Sequence, residues 1–426
     1  MTAIRDPGVS GVSRRSLALA AFSTMVEWYD FTLYLYMATI LSRVFFGGVA
    51  GSLAVTLAAF AVSYLLRPLG ALAFGSIGDR YGRRAAMLLS MALMTAAMLA
   101  TALLPTRAQV GPGAAGALLA LRCVMSFSVG GEYTGVVAYL LEGARRDRRG
   151  LVTSGAAAAS EIGALLAAAT AALTVGSLET AALDAWGWRI PFLVGAALAA
   201  GVWVLRSWME ESPEFDRQRA RGTVPKDPVR HALGAQRPAI ARGFAISALG
   251  SITYYVGITY IPAFLTSVGG SGEGRSLWLS TVAAAVVILV TPATGMLSDR
   301  WGRKPVLLAL CASAIVLPAA MFALMAGGDP SAAILGAVVL AGMGGGVSAV
   351  GAVATAELLP GEGRMTGLAL GATTATAIFG GLTPLIAQLL IEHTGWPPVP
   401  GAMIAAVAAC ALPVLLTLPE TRPARA

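Results

Sequence analysis

The sequence predicts an all-α integral membrane protein in which twelve transmembrane helices form two pseudo-symmetric six-helix bundles. Three observations carry that prediction. The 426-residue chain is 57% hydrophobic and only 12% charged, with a mean hydropathy of +0.74, which is too evenly apolar for a soluble domain. Its apolar runs reach about 20 residues, the length of a spanning helix, instead of alternating over about 10 as in a membrane barrel. Finally, a polar turn occurs twice: Gly75-Ser-Ile-Gly-Asp-Arg-Tyr-Gly-Arg-Arg84 returns as Gly295-Met-Leu-Ser-Asp-Arg-Trp-Gly-Arg-Lys304. Gly75, Asp79, Arg80, Gly82 and Arg83 recur 220 positions later as Gly295, Asp299, Arg300, Gly302 and Arg303, so the chain reads as a doubled half. In each copy the glycines let the backbone reverse, the Asp can sit at a helix N-terminus, and the arginines keep the turn out of the bilayer.

Cutting at charge clusters and Gly/Pro turns gives spans near 16–41, 51–76, 85–104, 114–142, 150–174, 189–208, 240–266, 276–297, 305–326, 331–357, 365–391 and 400–418. Between the sixth and seventh lies one long polar segment, whose Glu210, Glu211, Pro213, Pro225 and Pro228 mark a linker. The expected division is a first bundle over 1–208, a linker over 209–238 and a second bundle over 239–426. The first apolar stretch carries Glu27 and Asp30 without a clean cleavage site, so it reads as a retained helix and not a signal peptide.

Orientation follows from Lys and Arg. Alternate loops, with Arg206 at the end of span six, hold 24 of the 30 basic residues, against Arg43, Arg107, Arg189 and Arg275 on the other side. Both termini and the linker are therefore expected in the cytoplasm. The net charge of +8 is explained by this asymmetry, which removes the case for nucleic acid; the lipid bilayer is the expected surrounding. Cys123, Cys311 and Cys410 lack metal or redox spacing, and His231 and His393 fall in loops, so no metal site and no intramembrane histidine are expected. Without a buried His, a serine nucleophile motif or metal spacing, an intramembrane enzyme is not supported. Gly111-Pro-Gly-Ala-Ala-Gly116 follows no strand and no Walker lysine exists, so no nucleotide cofactor is expected.

Six charges lie deep within spans: Glu27, Asp30, Arg67, Arg122, Glu132 and Glu161. Each costs about 2.5–3.5 kcal/mol on insertion scales and is a functional candidate by default. All fall in spans one, two, four and five, whereas spans three, six, nine and twelve have none in their interiors, as suits helices facing lipid. The second half offers neutral groups instead, notably Tyr254, Tyr255, Thr259, Tyr260, Thr373, Thr374 and Thr376. One half thus reads as the ionic side of a cavity and the other as its polar wall. Helical rise places Glu27, Arg67, Glu132 and Glu161 at a similar depth of about 15–18 Å. Three carboxylates facing one guanidinium imply that one holds a proton or meets a cation of the substrate.

Glu27, Asp30 and Tyr34 share one face of span one, and Arg122, Ser126 and Tyr133 one face of span four. Asp30 and Arg122 form the natural pair, either a permanent tie between helices or a proton-coupling pair. Arg67, beside Pro68, is open to structural pairing or function, and Glu161 stands alone among alanines. Glu142 and Arg149 match Glu357 and Arg364, and together with Asp79/Arg83 and Asp299/Arg303 they predict an ion network at the cytoplasmic end. The glycines of Gly342-Met-Gly-Gly-Gly346 and Gly380-Gly381 read as close helix packing.

The doubled turn, G-x-x-x-D-R-x-G-R-[RK], resembles the loop signature of the major facilitator superfamily. Glu27-Trp-Tyr-Asp-Phe31, Arg67-Pro-Leu-Gly70, Gly130-Gly-Glu-Tyr133, Trp186-Gly-Trp-Arg-Ile-Pro-Phe192 and Ala377-Ile-Phe-Gly-Gly-Leu-Thr-Pro384 resemble its metabolite:proton symporter branch, which carries proline and betaine, 2-oxoglutarate, citrate or shikimate. The resemblance implies a monomeric carrier in a bacterial inner membrane that takes up a small organic solute by alternating access, with protons as the coupling ion; proton-driven efflux is the mechanistic rival. It makes Gly75, Asp79, Arg80, Gly82, Arg83, Glu142, Arg149, Asp299, Arg300, Gly302, Arg303, Glu357 and Arg364 a conformational latch. Asp30 and Arg122 become the coupling pair, with Glu27, Glu132 and Glu161 as further proton candidates. Glu27, Tyr34, Arg67, Arg122, Tyr133, Glu161, Tyr254, Tyr255 and Thr376 are the substrate-site candidates, with Glu132 also at the central site.

The sequence departs from the branch in two places. Span four reads Arg122-Cys-Val-Met-Ser126 where R-x-x-Q-G is usual, and Glu161 is not expected there. The boxes lean both ways on substrate: Ala377 to Pro384 toward citrate-type carriers, Gly130 to Gly135 and Thr253-Tyr-Tyr255 toward betaine and proline carriers.

Overall fold

The computed structural model describes residues 12–48, 52–269 and 273–422; Arg5 and Arg425, both counted for orientation, lie outside them. Among the described residues the chain is helical throughout. Ten helices are long and apolar enough to cross a membrane, and the bent pair Arg237–Thr259 and Ile261–Ser267 makes an eleventh. Span one, Arg14–Tyr36 continued by Ala38–Phe46, falls short only in apolarity, because Arg14, Arg15, Glu27 and Asp30 lie on it. It packs in the first bundle all the same.

Several spans are broken where continuous helices were expected. Span two divides into Ser52–Tyr64 and Arg67–Tyr81, with Pro68 in the first turn of the inner piece, where its missing N–H costs nothing. That break leaves Arg67 at a helix start within the bundle. Span seven passes through a π-turn at Tyr255–Thr259 and bends by 44°. Span eleven runs Arg364–Leu368, a π-turn at Ala369–Thr373, Thr374–Phe379 and Thr383–Thr394. Such π-turns recur at functional positions in helices. The linker folds into two short helices, Pro213–Arg221 and Pro228–Ala235, each started by a side-chain cap, Ser212 and Asp227.

Two separate apolar cores sit one in each half, around Val26, Leu33, Met94 and Phe192 and around Leu249, Phe264, Leu307 and Val347. Two smaller seams join the halves. At the end carrying the doubled turns, hereafter the basic end, Val137, Leu141, Val353 and Met365 pack together. On the side away from that end, Phe31 and Tyr64 meet Tyr255. Between the two seams lies the cavity.

Candidate functional site

The cavity has a volume of about 160 Å³ and takes its walls from both halves. From the first half come Glu27 and Trp28 on span one, Tyr64 and Arg67 on span two, Tyr133 on span four and Glu161 on span five. The second half supplies Ser251, Tyr254 and Tyr255 on span seven, Thr355 on span ten and Thr376 on span eleven. Its charged groups are thus Glu27, Arg67 and Glu161, all from the first half. Arg67 Nη1 donates to Glu27 Oε1 at 3.2 Å, and the guanidinium stacks over the Tyr64 ring at 4.3 Å. The second oxygen of Glu27 has no hydrogen-bond partner among the described residues. Glu161 accepts a hydrogen bond from the Tyr254 hydroxyl across the cavity. Its neighbour Tyr255 turns to the hydroxyl of Tyr64, so two adjacent residues of span seven grip different helices of the first half. Thr376 accepts from Ser251 at 2.9 Å.

Three expected cavity residues are elsewhere. Asp30 and Arg122 do meet, as a bidentate pair at 2.8 and 2.9 Å, but this pair and Tyr34, whose ring lies under Arg122 at 5.1 Å, are packed within the first bundle and do not line the cavity. The face shared by Arg122 and Tyr133 is wide enough to serve both places. Glu132 also leaves the expected central site. It is wholly buried among spans one, three, four and six, where it pairs with Arg206 and accepts from Ser90 at 2.9 Å and Ser23 at 3.2 Å. Arg206, expected as a loop charge, additionally donates to the Met87 carbonyl at 2.9 Å. Span six therefore carries a deep charge after all, on its inward face. Side chains on a helix lean toward its N-terminus, and the N-terminus of span six points into the membrane, so Arg206 reaches back from the basic end into the bundle. Each buried guanidinium of the first bundle thus has its own carboxylate, and Glu161 is the carboxylate left over.

At the basic end the doubled turns build two matching clusters. Arg83 pairs with Asp79 at 2.9 Å and Glu142 at 3.0 Å, and Arg364 of the second half reaches Glu142 at 2.6 Å. Arg303 pairs with Asp299 at 2.7 Å and Glu357 at 3.1 Å, and Arg149 of the first half approaches Glu357 at 3.8 Å. Each Asp lies in the last turn of its own helix and caps a helix of the opposite half. Asp79 accepts from the N–H groups of Met365 and Thr366 at 3.2 and 2.8 Å, and Asp299 from those of Gly150 and Leu151 at 2.8 and 2.9 Å. Gly75 and Gly295, expected in the turns, lie within helices instead. A side chain on Gly295 would overlap the Gly150 backbone, and one on Gly75 would come within 3.1 Å of Met365, so both admit the opposite half. Gly82 and Gly302 make the reversals, at φ +111° and +109°. Arg80 and Arg300 are exposed and take no part in the clusters, because one step past the inward Asp is a quarter-turn round the helix.

Two further carboxylates complete the clusters, and the sequence reading missed them. Glu211 accepts from the N–H groups of Arg83 and Arg84 at 2.9 and 3.2 Å, and Glu420 from those of Arg303 and Lys304 at 2.8 and 3.1 Å. The next residues, Ser212 and Thr421, donate to Glu142 and Glu357 at 2.5 and 2.7 Å. Burial pushes the Glu211 carboxyl above its ordinary range, against the pull of those N–H groups and Arg83. The available signal was Glu-Ser after span six and Glu-Thr after span twelve.

Comparison with known proteins agrees with this architecture. The Major Facilitator Superfamily profile matches residues 17–348 and 276–426. The Ectoine/proline transporter ProP of Corynebacterium glutamicum is 33% identical over 93% of this chain and 82% of its own. The Citrate-proton symporter of Klebsiella pneumoniae is 30% identical over 96% and 93%, and the Alpha-ketoglutarate permease of Escherichia coli 31% over 89% and 88%. Among solved structures, the proton:xylose symporter XylE bound to 6-bromo-6-deoxy-D-glucose superposes with a TM-score of 0.79 over 96% of both chains at 19% identity. The protein is a multi-pass membrane transporter and not an enzyme. It belongs to the Major Facilitator Superfamily, in the branch that holds the proline/betaine, citrate and 2-oxoglutarate carriers.

Proposed function

We propose that the protein is a proton-coupled symporter for a small zwitterion that joins an ammonium group to a carboxylate, taken up across the bacterial inner membrane. The observation that carries this reading is the charge balance of the cavity: two carboxylates, Glu27 and Glu161, face one guanidinium, and that guanidinium is already engaged by Glu27. A citrate-like solute would add negative charge to this site. An ammonium carboxylate brings the missing cation, and its own carboxylate can share Arg67. The volume of about 160 Å³ has room for about 11–16 waters at 10–15 Å³ each, enough for a small organic solute.

The coupling proton belongs to Asp30, which lies off the cavity against Arg122. The basic end faces the cytoplasm, and its clusters latch the halves 1–208 and 239–426 together there, releasing when the carrier opens inward. One proton moving down about 100 mV and one pH unit supplies about 3.7 kcal/mol, enough for a few hundredfold accumulation of a zwitterion. Exchange is the second reading, and Glu161 is what favours it: a cation and a proton competing for one carboxylate would run in opposite directions.

The test is the interior pH of proteoliposomes as glycine betaine, proline, citrate or 2-oxoglutarate is added outside. Acidification with glycine betaine or proline, lost in Asp30→Asn, is expected. Acidification with citrate alone would overturn the solute class, and alkalinisation would replace symport by exchange.

A further inference from the structure

We propose that Glu161, with Trp28, Tyr254 and Tyr255, forms the subsite that receives the ammonium group of the solute and so sets the specificity of the cavity. The inference rests on the zwitterion reading above and assigns it to one side chain. The pairing of buried charges singles this residue out. Glu27 has Arg67, Asp30 has Arg122 and Glu132 has Arg206; Glu161, only 4% exposed, has the hydroxyl of Tyr254 and no cation among the described residues. A carboxylate so enclosed, with one neutral donor, gains far more from a cation than a hydrated one does.

The surrounding rings fit the same ligand. Trp28 lies 5.2 Å from Tyr254 and 6.4 Å from Tyr255 between ring centroids, and the two tyrosines are 5.6 Å apart. All three line the cavity with Glu161. Aromatic faces attract alkylated ammonium groups, which shed water easily. A solute carrying only carboxylates meets repulsion from Glu161 and gains no cation–π attraction from the ring faces.

Binding there also reaches beyond the subsite. The ammonium group takes the place of the Tyr254 hydroxyl on Glu161, and Tyr254 belongs to span seven of the opposite half. Occupancy thereby replaces a direct link between halves with one made through the solute. Because the solute's cation occupies Glu161, the proton carried with it must sit on a different group, which keeps the two sites separate.

The experiment measures binding to the full chain in nanodiscs with two pairs of probes matched in shape. Glycine betaine is compared with 3,3-dimethylbutyrate, and L-proline with cyclopentanecarboxylate; each second member lacks the positive nitrogen. Wild type is expected to prefer the ammonium member of at least one pair by about thirtyfold or more, the range for a buried charge contact. Glu161→Gln should cut that preference below about threefold. Tyr254→Phe keeps the ring and removes the competing hydroxyl, so it should keep the preference or raise it. A preference that survives Glu161→Gln, or is lost in Tyr254→Phe, overturns the assignment while leaving the solute class standing. A wild type that binds neither ammonium probe better than its isostere overturns the class and the assignment together.

Discussion

The two ends of this molecule's chemistry follow opposite rules. At the basic end every group has a double: Asp79 and Asp299, Arg83 and Arg303, Glu142 and Glu357, Glu211 and Glu420 occupy matching places in the two halves. In the middle nothing does. Glu27, Arg67 and Glu161 come from the first half, while Tyr254, Tyr255 and Thr376 of the second supply hydroxyls and rings. Among the described residues, the ion pairs of the second half all belong to the basic end. The difference separates what each region must do. The matching clusters give each half an equal grip on the other, whereas the cavity sets a charged wall against a neutral one.

The largest effect tests how far the asymmetry extends. Arg206→Met leaves Glu132 buried without its partner and is expected to destabilise the protein by about 3–5 kcal/mol, with the double variant Arg206→Met/Glu132→Gln recovering much of the loss. Denaturation in detergent measures it. A loss of solute affinity with unchanged stability would return Glu132 to the cavity. A smaller effect tests the equality of the grips. Arg364 lies 2.6 Å from Glu142, but Arg149 lies 3.8 Å from Glu357, so Arg364→Ala should open the basic end more than Arg149→Ala, by about 1–2 kcal/mol. Spin-label distances across that end report the population; equal shifts would show the two clusters to be equivalent. The smallest effect is in the neutral wall. Thr376→Ala removes one acceptor for Ser251 and should change solute affinity by about 1 kcal/mol or less. A loss as large as that of a cavity charge would make the second half more than a wall.

Much of this was legible in the chain. The doubled turn located the basic end because it recurs at a fixed interval, and Asp30 and Arg122 were matched as opposite charges buried on single faces of spans one and four. What stayed hidden depends on side-chain direction. Arg206 looked like a loop charge since its Cα is near the membrane surface, yet its long stem leans toward its helix N-terminus and into the bundle. Arg80 and Arg300 carry the same motif as their neighbours but sit on the exposed flank of the helix. Glu211 and Glu420 escaped notice because they lie 209 positions apart, out of step with the 220 of the turns they cap. The crossing of Arg364 to Glu142 and of Arg149 to Glu357 could not be read from spacing, since each carboxylate has an equally spaced arginine in its own half.

That crossing has a consequence for assembly. Asp79 caps span eleven and Asp299 caps span five, which are equivalent helices of the two halves, so site i of one body meets site j of the other and the reverse holds at once. This is the contact rule of a twofold dimer built from identical chains. A first half expressed alone would present both Asp79 and the bare start of its own span five, the two complementary parts of one contact, and is equipped to pair with a second copy of itself. The basic end thus carries a self-complementary surface shared by the two halves, and the halves lose that likeness in the cavity.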